Sequence, residues 1–512
     1  MKKITLFIAL LISQITMSQN VLTIEKLLTL NRMGGAVVSP DGTNVLFTLS
    51  KANIDDNKLY TDVCLYDLKS EQYKIITADN KISRSDFQWT NDQTIWYISN
   101  EKDGFQVWNM NKDGKNKKQI TAEKEGVEGF KISNDGSLLV LIIDQRIQKA
   151  SDLYSNLKDS KVKMYDDLMY RHWNYWNDEN YKQLYYYQLE NKTPKGKKIN
   201  VAPISEIDKV NPPFGGSESI AISPDNETIF YSYKDKSGTA FALSTNTDIY
   251  AYNVANQEIT NITVDNKGYD MNPVVSADGK FLAFSQMKND GYESDKVDVV
   301  LYDFATKKFN NLTESHDMTV ASFTLADGKV YMVVPLKGCE QLFELEIKTK
   351  KLTQLTFTTA DYLSVAVAGN SLISTRQSMV EPTDLFKLDL KTKTVKQLTA
   401  VNGDYFKTLA KPTVKETWVK TDDGKEMLVW HILPPNFDET KKYPTLLYCQ
   451  GGPQSMVSQF FSYRWNFMIM ASQGYVIVAP NRRGLPGFGT KWNEAISGDW
   501  AGKPMQDYLT AI

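Results

Sequence analysis

The chain has 512 residues, enough for two or three domains with sizeable cores. Its 59 basic and 61 acidic residues nearly cancel, and the Lys clusters (112–118 and 195–198) sit beside Asn, Gly and Pro. That pattern argues against a nucleic-acid or membrane-surface binder. Cys64, Cys339 and Cys449 are far apart and odd in number, so neither a disulfide framework nor a C-x-x-C metal site is indicated.

The start reads as a secretory signal peptide over residues 1–18. Met1-Lys2-Lys3 is a positive n-region, Ile4–Ile12 a short apolar run, and Thr16 and Ser18 are small residues at −3 and −1 of a cut near Ser18. The apolar run is too short for a span of about 20 residues, so no membrane anchor is expected. Export to a periplasm follows, with an N-terminal segment over 19–36.

Residues 37–400 repeat. One mark is a turn of the S-P-D-G type, at Ser39–Gly42, Ser133–Gly136, Ser223–Asn226 and Ser276–Gly279, with T-N-D-Q at Thr90–Gln93 and L-A-D-G at Leu325–Gly328. Each precedes an alternating apolar run, which is hairpin chemistry because Gly, Asn and Asp tolerate positive φ. A second mark, Ile-Thr or Leu-Thr, closes each unit, as at Thr263, Thr313, Thr356 and Thr399, 43–50 residues apart. Units of that length with four short strands predict a β-propeller, here of about seven blades. Thr121 to Thr263 must hold two units plus an insertion, placed at 147–187.

That insertion carries Y-D-D-L-M-Y-R-H-W-N-Y-W-N-D-E-N from Tyr165 to Asn180, dense in aromatics and in acids such as Asp166, Asp167, Asp178 and Glu179. Insertions in repeats protrude from one face, often the binding face. The segment reads either as a rim that holds a ligand or as an aromatic plug packing the third blade.

A linker over 401–412 leads to a different texture at 413–512. A hairpin turns at Asp423-Gly424 and ends at Pro434-Pro435. Two apolar runs, Thr445–Cys449 and Tyr475–Ala479, then finish in Gly/Pro-rich turns, Q-G-G-P and N-R-R-G-L-P-G-F-G. Buried parallel strands of an α/β sheet look like this when the loops at their C-terminal ends carry a site. On that reading Cys449 is a small buried side chain. Gly498-Asp499-Trp500 opens a last helix, where Asp507 reads as a packing or dipole residue. No G-x-S-x-G elbow is present, and His172, His316 and His431 stand in no catalytic or metal-binding pattern.

The G-G-P turn, the N-R-R-G-L-P-G-F-G segment and the D-W-x-G helix start together resemble the opening of the catalytic domain of the prolyl oligopeptidase family. The likeness is to its bacterial dipeptidyl-peptidase 5-like and acylaminoacyl-peptidase-like branch. The resemblance implies a mainly β chain, a seven-bladed propeller followed by the N-terminal part of an α/β-hydrolase domain. It implies an exported serine exopeptidase acting on short peptides, without cofactor or metal, and a homodimer when full length. The N-terminal residues Val21–Leu28 are expected to pack between the two domains.

By the same resemblance the triad Ser, Asp and His lie beyond Ile512, so the chain as given is expected to be inactive. An oxyanion donor comes from Gln450 or from the N–H of Gly451. Relatives often carry His or Tyr at the first of these, and a Gln amide still donates. Asp166, Asp167 and Glu179 are candidates for the substrate amine, although Asn174 stands where relatives have Asp. Arg482 and Arg483 either bind substrate or anchor the propeller rim by ion pairs, the second being favoured. The reading from another class is a non-catalytic periplasmic propeller that docks partner proteins.

Overall fold

The computed structural model describes residues 20–512 apart from 78, 103, 148–155, 157–164, 166, 177–178, 212–214 and 453–454. The leader, Asp166 and Asp178 therefore lie outside the described residues.

Between Arg32 and Gln397 the described chain forms seven antiparallel sheets of the propeller type, six four-stranded and the last five-stranded. They pack in a ring. Leu46 and Val63 of the first sheet meet Ile95 and Tyr97 of the second. Equivalent apolar layers follow between each neighbouring pair. Ile373 and Leu385 of the last sheet then close on Val45 and Phe47 of the first. Each small sheet buries both faces only by this radial stacking.

The repeat marks have physical roles. Ser39, Thr90, Ser133, Ser223 and Ser276 each donate a hydroxyl hydrogen bond to the Asp two residues on, at 2.5–2.7 Å. The closing threonines each accept from the backbone N–H fourteen residues back, Val63 to Thr77 at 3.0 Å and Leu385 to Thr399 at 2.9 Å among them. The third sheet ends on Val201-Ala202 instead. The Val201 N–H still donates to the Leu184 carbonyl at 3.0 Å, but no hydroxyl follows, so the mark is lost there.

Two expected boundaries move, and the linker holds structure of its own. The first sheet opens at Arg32–Val38, inside the stretch read as an N-terminal segment, because Gly34-Gly35 at a bulge disguise the strand. The insertion is shorter than 147–187, since Asn180–Glu190 pairs along Leu138–Arg146. The 401–412 stretch holds a short helix, Gly403–Phe406, whose Phe406 packs with Leu409 against Leu22, Leu27 and Leu30. Phe461 and Met468 of the hydrolase part complete that cluster, so the N-terminal residues do sit between the two units.

The hydrolase part is one sheet. Thr413–Lys420 pairs antiparallel with Glu426–Leu433, which pairs antiparallel with Val476–Pro480, and that strand pairs parallel with Thr445–Leu447. In chain order the strands lie first, second, fourth, third. Leu428, Trp430 and Ile432 pack on one face with Val457, Phe467 and the propeller residues Cys339 and Met379. Met427 and Val429 pack on the other with Trp492 and Ala511.

Thr445–Leu447 is not the buried strand its composition suggests. Among the described residues it pairs on one side only, Leu446 is 39% exposed, and Cys449 is exposed rather than buried. The apolar run is an uncovered sheet edge.

Candidate active site

The site is built where the third strand ends. The Tyr448 N–H donates to the Val478 carbonyl at 2.8 Å and holds the strand to its neighbour up to the Gln450-Gly451-Gly452 turn. There the Gln450 carbonyl accepts two hydrogen bonds, from Arg482 Nη2 at 2.8 Å and from the Tyr508 hydroxyl at 2.9 Å. Arg482 is itself fixed, with Nε on the Tyr508 oxygen at 3.0 Å and Nη1 on the Arg483 carbonyl at 2.6 Å. Gly451 is exposed, and a Cβ added to it would meet no atom of the described residues within 4 Å. Gly452 has φ +126°, a conformation L side chains rarely adopt.

Arg483, the residue after Arg482, is fully buried. Its guanidinium holds Asp507 through Nη2 at 2.6 Å and Nε at 2.9 Å, and its own N–H donates to the same carboxylate at 2.9 Å. Nη1 reaches Asp423 of the hairpin turn at 2.9 Å. The ion-pair partners thus sit within the hydrolase part and not on the propeller rim. These bonds to Asp507 push the Arg483 pKa further up, so it stays charged. Asp507 does pack the last helix, Lys503–Ala511, whose first N–H, that of Lys503, donates to the Asp499 carboxylate at 3.0 Å.

Several positions escaped sequence reasoning. Asn481 is buried and clamps the Val457 peptide, accepting from its N–H at 2.9 Å and donating to its carbonyl at 3.0 Å. Asp361, on the propeller, accepts from the Ser458 hydroxyl at 2.6 Å and from the N–H groups of Gln459 and Glu340 at 3.1 and 3.0 Å. Burial pushes its pKa up to about 6 against these bonds. Burial, then the charge of Asp361, pushes Glu340 up to about 8. The Asp361 bonds to Ser458 and Gln459 join residues 97 and 98 positions apart, and only Asn481, inside N-R-R-G, had a local signal.

The turns between second and third strands of the later propeller sheets face the hydrolase part. Tyr292 meets Ser497 at 2.8 Å, the Ser294 carbonyl accepts from Asn493, and the Gly338 N–H donates to Met456 Sδ at 3.2 Å. The insertion occupies the same connection in the third sheet, between Leu138–Arg146 and Asn180–Glu190. Its described part is a hairpin pairing Arg171-His172 with Tyr175-Trp176, on which Trp173, Tyr175 and Trp176 are exposed. Asp167 accepts from the Thr239 hydroxyl at 2.7 Å and its N–H at 3.2 Å, which hold its carboxyl below the usual range. Glu179 pairs with Arg146 at 2.7 Å. Asp167 and Glu179 are thus tied to the propeller, while Gln450, Gly451, Arg482 and Arg483 are gathered by the sheet.

A cavity of about 360 Å³ also opens along the seam, lined by Pro335, Lys337, Trp418, Pro486, Phe488 and Trp492. It lies beside the first strand, at the opposite edge of the sheet from Gln450.

A propeller docked on an α/β-hydrolase sheet, with a glycine turn at a parallel strand's end, defines a propeller-capped hydrolase. Residues 461–512 match the prolyl oligopeptidase family. The chain is 37% identical to dipeptidyl-peptidase 5 of Porphyromonas endodontalis over 503 residues, 98% of this chain and 72% of that relative. It is 37% identical over 494 residues to dipeptidyl-peptidase 5 of Porphyromonas gingivalis, covering 96% of this chain and 72% of the relative. The solved acylaminoacyl peptidase of Pyrococcus horikoshii shares the fold, with TM-score 0.75 and 19% identity over 95% of this chain and 71% of that one. The chain belongs to the prolyl oligopeptidase family and is a serine peptidase by that membership.

Proposed function

We propose that the protein is an exported dipeptidyl aminopeptidase acting on short peptides. In this reading residues 37–400 with the Arg32 strand form a seven-bladed propeller, residues 413–512 begin the catalytic domain, and the triad is supplied by chain following Ile512. The signal peptide over 1–18 sends the protein to the periplasm. Among the described residues no helix is long and apolar enough to cross a membrane. The full-length enzyme is proposed to be a homodimer.

The observation that carries the reading is the Gln450-Gly451 turn at the end of an uncovered parallel edge strand. A further parallel strand added beside Thr445–Leu447 brings a nucleophile at its C-terminal end next to that turn. The serine hydroxyl attacks the scissile carbonyl, and negative charge grows on the carbonyl oxygen. The N–H of Gly451 or the Gln450 amide stabilises it, which is where such sites gain most of their rate. Asp166, Asp167 and Glu179, on a connection at the hydrolase-facing end of the third sheet, take the substrate ammonium by charge-assisted hydrogen bonds. The propeller limits entry to short, flexible peptides.

The test compares the full-length gene product with residues 19–512, using chromogenic dipeptidyl substrates with free and acylated amines and a fluorophosphonate probe. Full-length protein should cleave the free-amine substrate and be labelled, and residues 19–512 should do neither. Equal cleavage of the acylated substrate would move the assignment to an acylaminoacyl peptidase. Absence of turnover and labelling would end it.

A further inference from the structure

We infer that Arg482 and Tyr508 are positioning residues for the oxyanion-binding amide of Gly451, an assignment that rests on the peptidase reading above. In a trans peptide the carbonyl of one residue and the N–H of the next point in opposite directions. Fixing the Gln450 carbonyl therefore fixes the Gly451 N–H. The carbonyl is fixed twice, by Arg482 Nη2 at 2.8 Å and by the Tyr508 hydroxyl at 2.9 Å.

The two holders also hold each other. Arg482 Nε donates to the Tyr508 oxygen at 3.0 Å, the guanidinium stands over the Tyr508 ring at 5.7 Å, and Nη1 is tied to the Arg483 carbonyl. Arg482 is 5% exposed, so this clamp works where water competes little. On the far side of the peptide no described residue crowds Gly451, which is exposed and meets none of them where a Cβ would stand. Its N–H makes none of the backbone hydrogen bonds of the described turns. A glycine turn with such neighbours would otherwise flip its peptide easily, because Gly tolerates both signs of φ. The clamp selects the orientation in which the amide points away from Arg482, out over the strand end.

The arrangement also explains why the last helix matters to the site. Tyr508 lies one residue after Asp507, which is pinned by Arg483. The adjacent arginines thus divide the work: Arg483 docks the helix, and Arg482 with the helix's tyrosine sets the peptide.

The experiment uses full-length enzyme with Tyr508→Phe, Arg482→Met and the conservative Arg482→Lys. Removing an oxyanion donor outright lowers kcat by about 100- to 1000-fold. Loosening one should cost about 10- to 100-fold in kcat for Arg482→Met, less for Tyr508→Phe, with KM unchanged and partial recovery in Arg482→Lys. Affinity for a dipeptidyl aldehyde, whose oxygen becomes an oxyanion when the serine adds, should fall in step with kcat. Affinity for a product dipeptide should not move. Tyr508→Phe, which deletes one oxygen, guards against loss of fold in Arg482→Met. Unchanged kcat in both variants, or equal losses for aldehyde and product, would overturn the assignment alone. Inactive wild-type enzyme would overturn it together with the peptidase reading.

Discussion

The Arg483 guanidinium and the Asp507 carboxylate form a two-point ion pair inside the hydrolase part, with Nη2 to Oδ1 at 2.6 Å and both side chains at most 1% exposed. It joins the end of the fourth strand to the last helix, and Asp423 ties the first hairpin to the same cation. A buried pair is weak evidence for net stability, but removing one partner strands the other charge. Asp507→Asn or Arg483→Met should therefore lower stability by about 3–5 kcal/mol in denaturant titration of the 512-residue chain. The double replacement Arg483→Met/Asp507→Leu should be milder than the sum of the singles. Additive losses would show that the pair is not a coupled unit.

How much of this was legible depends on how local the cause is. The S-P-D-G turns and closing threonines are short-range hydrogen-bond devices, so they mark the sheets in the sequence itself. The third sheet lost its mark because one residue changed, Ala202 standing where a threonine hydroxyl would be. The strand with Gly34-Gly35 was hidden by glycine, which strand composition disfavours. The exposure of Cys449 was invisible because burial belongs to the neighbouring strand and not to the residue. The Arg482 and Tyr508 clamp and the Asp361 seam contacts arise only from folding distant segments together.

The Asp361 and Glu340 carboxyls make the domain seam sensitive to pH. Their folded pKa values, about 6 and about 8, lie above the unfolded ones near about 4. The folded state thus holds more protons than the unfolded state between those limits. Stability is fully present below about pH 4 and is lost as pH rises through 6 and then 8. Glu340→Gln should flatten this fall and raise stability at pH 8, on the order of 1–3 kcal/mol for relief of a buried charge. Urea midpoints from pH 5 to 8 measure it. A wild-type midpoint that rises over this range would contradict the assignment.

Gly338 is a second seam position with a clear expectation. It has φ +79°, and a Cβ there would stand 2.4 Å from Leu428 Cδ2 and 2.8 Å from the Trp430 ring. Gly338→Val adds overpacking of about 1–3 kcal/mol to a backbone strain of similar size. The hydrolase part should loosen from the propeller while the seven sheets persist. Limited proteolysis should then cut near 401–412 faster than in wild type, with the propeller fragment surviving. Uniform digestion of both parts would mean that Gly338 matters to its own sheet and not to the seam.

The insertion supplies the test of the amine site. Asp167 accepts two bonds from Thr239 and one from the Leu168 N–H at 2.7 Å, short of the four a carboxylate can take, and Glu179 is held by Arg146 at the base of the same segment. Both lie on a connection at the end of the third sheet that, in the later sheets, meets the hydrolase part. In full-length enzyme, Asp166→Asn, Asp167→Asn and Glu179→Gln are made singly and assayed on free and N-acylated dipeptidyl substrates. Loss of a charged hydrogen bond to the substrate ammonium removes about 1.5–3 kcal/mol. It should appear as a KM increase of roughly 10- to 100-fold for the free amine alone, because the bond is made equally in ground and transition states. A variant that harms both substrates alike has instead disturbed the Thr239 or Arg146 contacts, and the segment would then be an aromatic plug for the third sheet.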